Sequence, residues 1–241
     1  RDLKEDSAMS ERSITTTSAA MQRSISNLDV DAIGIASADS LKGTKLAEAA
    51  FHLLPETNSI VVLAMEVYPE VLDLSRPGRM MGVASFNDLL DRHVEFLCGR
   101  LTKTAYDVAK FSHSHGLKAL PLPASGCPMD MRFYEAVFSY KHAAQVAGVG
   151  YIGRSSLLIT PDFGPRVRLS CCLTEAVLEP QKKVTAEECQ SCRICIDSCP
   201  AQALDRPPGE ESYIINKFAC ASFQNASGGC SECIRLCPVS R

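Results

Sequence analysis

The sequence predicts an α/β layered core followed by a small cysteine-rich domain. Three observations predict it. Apolar, β-branched runs alternate with amphipathic stretches up to about residue 180, as layers of strand and helix do. The pattern then gives way to short turns in which eight of the twelve cysteines fall between Cys189 and Cys237. Finally, 46% of the residues are hydrophobic and 22% charged, an ordinary globular share with enough apolar material for one sizeable core.

Between residues 13 and 28, Ile14, Met21, Ile25 and Leu28 recur at roughly helical spacing. Residues 30–36 read as a short buried strand, and a helix over 45–54 must stop before Pro55. The run 59–67, with Ile60, Val61, Val62, Leu63 and Met65, is apolar on both faces and suits a central strand. Turn chemistry follows at Arg76-Pro-Gly-Arg79. Residues 86–115 describe a long helix with one core face, ended by Gly116. A strand over 118–122, a helix over 135–147 and strands over 156–160 and 167–177 complete the core. The last two are expected to form a hairpin across residues 162–165. The organisation expected is a flexible N-terminal segment with the first helix (1–27), the α/β core (28–180) and the cysteine domain (181–241).

A net charge of −3 and a pI near 6.0 argue against a protein built to grip nucleic acid. No Lys/Arg run is longer than Lys182-Lys183, and the longest apolar stretch is far short of the ~20 residues of a membrane span. Residues 1–27 are rich in Ser, Thr and charge and lack an apolar signal core, so a cytoplasmic protein is expected. In a reducing cytosol, closely spaced thiols are metal ligands rather than disulfides.

Cys189-Gln-Ser-Cys192-Arg-Ile-Cys195-Ile-Asp-Ser-Cys199-Pro200 is C-x2-C-x2-C-x3-C-P, the bacterial ferredoxin run. Three closely spaced thiolates wrap one 4Fe–4S cubane, and the x3 step carries the fourth along a starting helix toward a neighbouring cluster. Pro200 fits the first turn of that helix, where its missing N–H would have no partner anyway. The second motif is Cys220, then Cys230-Ser-Glu-Cys233-Ile-Arg-Leu-Cys237-Pro238. Exchanging fourth ligands gives one cluster on Cys189, Cys192, Cys195 and Cys237, and another on Cys199, Cys220, Cys230 and Cys233. Zinc would close on four ligands and has no use for two C-x3-C-P endings.

Gly148-Val-Gly150-Tyr-Ile-Gly153 satisfies G-x-G-x-x-G, but the dinucleotide mechanism needs a strand before the glycines and a helix after them. Here the predicted order is reversed, so these glycines end a helix, turn tightly, and can leave bare backbone for a flat cofactor. Arg166 and Arg168 share a strand face and could bind an anionic or amide-rich cofactor. Cys171 and Cys172 point to opposite faces of a strand and cannot easily share a metal. Cys98 and Cys127 are isolated, as small buried hydrophobes are. His93, His113, His115 and His142 lie on or near predicted helices, with no Cys at ligand spacing.

Beyond the cysteines, the chain resembles the family of epoxyqueuosine reductase and the corrinoid reductive dehalogenases. The resemblance rests on residues 31–36, 54–64, the 147–154 stretch Ala-Gly-Val-Gly-Tyr-Ile-Gly-Arg, residues 157–164 and the detached Cys220. It implies a nitroreductase-like core binding cobalamin with its base displaced, followed by a ferredoxin-like two-cluster domain, with the Cys199 set as the cluster nearer cobalt. Ferredoxin or flavodoxin would supply electrons to a low-valent cobalt centre that reduces a small-molecule or otherwise unidentified substrate. The family's proton-donor position falls on Tyr134 in ungapped alignment, and tyrosine is the donor of the dehalogenase branch. Asp130 is the alternative if the alignment slips by four residues. The competing functions are an electron-transfer or reductive-activator protein with no substrate of its own, and a tRNA epoxyqueuosine reductase.

Overall fold

The computed structural model describes residues 18–75, 80–81, 84–85, 87–184, 189, 191–205 and 214–239. The turn expected at residues 76–79 and the first residues of the first helix (13–17) lie outside the described residues. The elements in chain order are α1 (18–26), β1 (Ala32–Ser37), α2 (Lys45–Leu53), β2 (Ser59–Glu66), α3 (Pro69–Leu74), β3 (Met80–Met81), β4 (Ala84–Ser85) and α4 (Asn87–Ser114). Then follow β5 (Ala119–Leu122), β6 (Met129–Asp130), β7 (Glu135–Ala136), α5 (Tyr140–Val146), β8 (Tyr151–Ile152), β9 (Leu158–Ile159) and β10 (Val167–Thr174). The cysteine-rich segment carries α6 (Ile194–Asp197), β11 (Leu204–Asp205), β12 (Ile214–Ile215), α7 (Lys217–Ser227) and α8 (Glu232–Arg235).

The main sheet runs β1-β2-β10-β5. All three pairings are antiparallel, so the layers expected from alternating strands and helices form on an antiparallel sheet. β2 is interior, as its unbroken apolar run predicts, and Ile60 through Ala64 are fully buried. Side chains alternate across a strand. Val61, Leu63, Met65 and Cys172 therefore pack with Met21 and Ile25 of α1 and Leu97, Leu101 and Val108 of α4. Ile60, Val62, Cys171 and Leu173 pack on the other face with Ala47 and Ala50 of α2 and Ala143 and Ala144 of α5. The result is a helix–sheet–helix sandwich. The N-terminus of α2 is capped by Thr44, whose Oγ1 accepts the Ala47 N–H at 3.2 Å. Among the described residues, no helix is long and apolar enough to cross a membrane.

Cys171 and Cys172 do fall on opposite faces, one in each half of the core. Burial pushes the Cys171 thiol well above its usual range and Cys172 up to about 12. A thiol pKa raised in the folded state adds stability that is complete below the unfolded value and is lost as pH rises toward the folded one. For Cys172 the window opens near 9 and closes near 12. Unfolding free energy from denaturant titration should drop by roughly 1 kcal/mol at pH 10 on account of this thiol. Cys172→Val should lessen that drop, and an identical pH profile in the variant would show that Cys172 plays no part.

Two expectations are corrected. The hairpin of residues 156–160 with 167–177 does not form: β9 pairs with β8, and Thr160 and Gly164 close a tight turn of their own. β10 instead runs between β2 and β5, where its residues Ser170 through Thr174 are completely enclosed. The helix expected over 135–147 starts only at Tyr140, because Glu135 and Ala136 pair back onto Met129 and Asp130. Tyr134 is therefore not at a helix start but in the turn of the β6–β7 hairpin, at φ 48°.

The cysteine-rich segment is packed against the core. Ser231 and Ser75 share a buried hydroxyl hydrogen bond at 3.1 Å, and Ile234 of α8 packs on the α4 side of the core. Within α8, Arg235 donates twice to Glu232, at 3.0 and 2.6 Å. Asn216 caps α7 through Oδ1, and Gly228, left-handed at φ 68°, ends it two residues before Cys230.

Candidate metal centre

α6 carries Cys195, α7 carries Cys220 and α8 carries Cys233, while the remaining thiols flank these short helices. Burial, then repulsion from neighbouring thiols, raises the pKa of Cys195 to about 11 and of Cys233 to about 12. The repulsion also shows who neighbours whom. Cys195 is acted on by Cys189, Cys192 and Cys237, and Cys237 by Cys189 and Cys192. Cys220 is acted on by Cys199 and Cys230, and Cys233 by Cys230, Cys220, Cys195 and Cys199. These pairwise influences group the thiols as two quartets, Cys189/Cys192/Cys195/Cys237 and Cys199/Cys220/Cys230/Cys233, with Cys195 also acting on Cys233.

Among the described residues, no three His, Cys, Asp or Glu side chains form a group able to hold a single metal ion. One zinc at about 2.3 Å would draw its sulfurs within about 4.6 Å of one another. Donors to sulfur, the usual partners of cluster thiolates, are also present. Arg154 N–H reaches Cys189 Sγ at 3.2 Å, Ala203 N–H reaches Cys199 Sγ at 3.3 Å, and the Gln224 amide reaches Cys220 Sγ at 3.3 Å. The two quartets fit iron–sulfur clusters.

The core closes over the first quartet. A Cβ on Gly153 would stand 3.2 Å from Cys189 Sγ, and one on Gly164 would strike the carbonyl of Val239, two residues past Cys237. Arg154 also donates from Nη1 to Cys192 O at 3.1 Å. Arg166, only 7% exposed and just ahead of β10, donates to Glu66 at 3.2 Å. Its charge acts on Cys237, pulling that thiol down against burial and its thiol neighbours. Arg168 lies within β10 opposite Met65.

The glycines have a structural account. α5 precedes them and β8 follows, the reverse of the dinucleotide arrangement. A Cβ on Gly148 would collide with Lys182 O, and one on Gly150 with Ile159 O. Backbone thus fills the space a side chain would take at both positions, which is why they are glycine. The four histidines are held locally: His93 accepts from Tyr68 N–H, His113 meets the backbone of Ala119, His115 the Phe111 carbonyl, and His142 bonds Ser139.

Tyr134 stacks edge-on against Phe218 of α7 at 5.5 Å and 84°, two residues before Cys220. The hairpin also leaves Met129, Met131, Phe133 and Val137 exposed. Asp130 accepts from Arg132 at 3.0 and 2.7 Å, and this pairing holds its carboxyl below the usual carboxylate range. Lys141 donates to Ser156 O and Oγ at 2.7 and 2.9 Å, and burial lowers its pKa. The roles of Arg154 and Phe218 escaped the sequence reading. Arg154 ends the 147–154 stretch on which the resemblance rests, but nothing in one sequence ties it to Cys189.

The chain is similar in sequence to reductive dehalogenases and epoxyqueuosine reductases. No protein-family model matches the chain. It is 32% identical over 157 residues to a tetrachloroethene reductive dehalogenase of Desulfitobacterium hafniense, covering 57% of this chain and 26% of that one. Over 121 residues it is 28% identical to an epoxyqueuosine reductase of Prochlorococcus marinus (strain NATL2A), covering 43% and 37%. Among solved structures, the catabolic reductive dehalogenase NpRdhA superposes with a TM-score of 0.67 at 18% identity, over 88% of this chain and 30% of the other. Epoxyqueuosine reductase from Bacillus subtilis gives 0.62 at 20%, over 95% and 66%. The chain is a relative of both groups, which supports the resemblance read from the sequence, and it matches about a quarter to a third of the length of these curated relatives.

Proposed function

We propose that the chain is an iron–sulfur oxidoreductase of the corrinoid-dependent reductase type, with one 4Fe–4S cluster on each cysteine quartet. The observation that carries this reading is the gathering of eight thiols into two adjoining quartets against the core. The relatives are reductases, and one superposing reductive dehalogenase is described as B12-dependent. Bound cobalamin would supply a low-valent cobalt that reduces the substrate. In this reading the core is nitroreductase-like and the C-terminal segment ferredoxin-like, with a ferredoxin or flavodoxin as electron donor. The chain's own residues hold the clusters and place a phenol at Tyr134 beside α7.

The test is chemical. Anaerobically reconstituted protein should bind about eight iron and eight sulfide per chain. Iron near four, or stoichiometric zinc, sinks the two-cluster reading. Added cobalamin should show the absorbance shift of base-off binding. No shift would favour a second reading, an electron-transfer or activator protein without its own substrate.

A further inference from the structure

We infer that Lys141 is a positioning residue for the Cys189 cluster: it pins the β8–β9 loop at Ser156, and so keeps the Arg154 main-chain N–H on the Cys189 sulfur. The inference rests on the two-cluster reading above. Tyr151 pairs with Ile159 and Ile152 with Leu158, and the ladder closes with Gly153 N–H on Leu157 O at 2.9 Å. Ser156 N–H returns to Gly153 O at 2.9 Å, which leaves Arg154, Ser155 and Ser156 as the loop. A three-residue hairpin loop of this kind is a type I turn followed by one left-handed residue, a place that glycine fills without strain. Here the place falls to Ser156, at φ 59° and buried. A residue with a Cβ thus stands where the loop asks for left-handed backbone, and the loop's own two bonds do nothing to relieve it.

Lys141 supplies the missing support from outside the loop. It sits in the first turn of α5, a helix fixed to the core by Ala143 and Ala144. Its Nζ donates to Ser156 O at 2.7 Å and to Ser156 Oγ at 2.9 Å, so one amine holds both the carbonyl and the side chain of the left-handed residue. At the first position of the same loop, the Arg154 N–H donates to Cys189 Sγ at 3.2 Å. Gly153 makes room for that approach, since a Cβ there would stand 3.2 Å from the same sulfur. Loop shape and sulfur contact are therefore one geometry, and Lys141 holds it from the side of α5. The N–H dipole turns its positive end to the sulfur, which favours the more negative, reduced cluster. The cluster takes one electron from the donor, no bond to the loop breaks and no proton moves. A slackened loop should therefore lower the potential of this cluster and leave the other alone.

The experiment compares Lys141→Met, Ser156→Gly and the double variant with the parent. Each is loaded anaerobically and read by dithionite titration with electron paramagnetic resonance, and by hydrogen exchange over residues 151–159. Cys220→Ala, which should leave the Cys189 cluster alone, identifies its signal. Lys141→Met should move that signal to more negative potential and speed exchange of the segment by about tenfold or more. Ser156→Gly should change neither reading, because glycine takes the left-handed place without the amine. In the double variant, glycine should restore most of both shifts. A lysine acting only through its charge would not be rescued, because Ser156→Gly returns no charge. Unchanged potential and exchange in Lys141→Met overturn the inference, as does a shift confined to the other cluster or one that Ser156→Gly fails to reverse. Exchange on the unloaded chains needs no cluster, so a Lys141→Met chain that fails to load is decided by that comparison and its rescue. A parent chain that never loads about eight iron overturns the two-cluster reading instead.

Discussion

Cys220→Ala should cost the chain one cluster and spare the other, leaving about four of about eight irons and a single paramagnetic species on reduction. Cys220 stands ten positions before Cys230, outside any compact motif, yet α7 delivers it to Cys199 and Cys230. Its removal leaves three thiols to hold a cubane, while Cys189, Cys192, Cys195 and Cys237 remain complete. The fold should tolerate the change, since α7 keeps its Asn216 cap and its left-handed Gly228 end. Cys192→Ala should give the mirror result, with loss of the species that Arg154 and Arg166 adjoin. The decisive comparison is between the two spectra. If either variant, still folded, loses both clusters, the assignment of ligands to quartets is wrong.

What could be read from the sequence follows from the range of the forces involved. β2 was legible because an unbroken run of Ile, Val and Leu buries both faces, and the opposed placement of Cys171 and Cys172 because a strand alternates by geometry alone. The long helix was legible to within a residue at either end, since its apolar face repeats for eight turns. The rest depends on contacts between distant residues. β10 belongs between β2 and β5 through pairing over about 50 to 100 residues, which no local pattern announces. β6 and β7 are two residues each, too short to show a period, so the 129–136 hairpin was taken into a helix. The tight turn at Gly148 and Gly150 was legible from the helix before it, but the packing of Lys182 and Ile159 against it was not.

Tyr134→Phe should lower turnover by about 10²-fold or more, with iron content, cobalamin binding and melting temperature unchanged. Reductive removal of an oxygen or a halide needs a proton as well as electrons, and the hairpin offers two candidate acids. Asp130 is tied to Arg132, which keeps its carboxyl low and therefore ionised at neutral pH, the wrong state for a donor. The other candidate is the phenol of Tyr134, in the turn of the same hairpin. Its backbone sits at φ 48°, a conformation that non-glycine residues seldom adopt and that costs on the order of 1–2 kcal/mol. The hairpin accepts that cost and sets the ring edge-on to Phe218, next to the helix that carries Cys220. Phenylalanine preserves the ring and that contact and deletes only the hydroxyl, so a packing role alone would leave kcat untouched. The effect should appear in kcat rather than KM, because a proton delivered in the transition state contributes little to substrate binding. Asp130→Asn should change turnover by less than about threefold, within the range of a lost surface ion pair. Unchanged kcat in Tyr134→Phe would make the tyrosine a packing residue, and a large loss in Asp130→Asn would move the proton to the carboxyl.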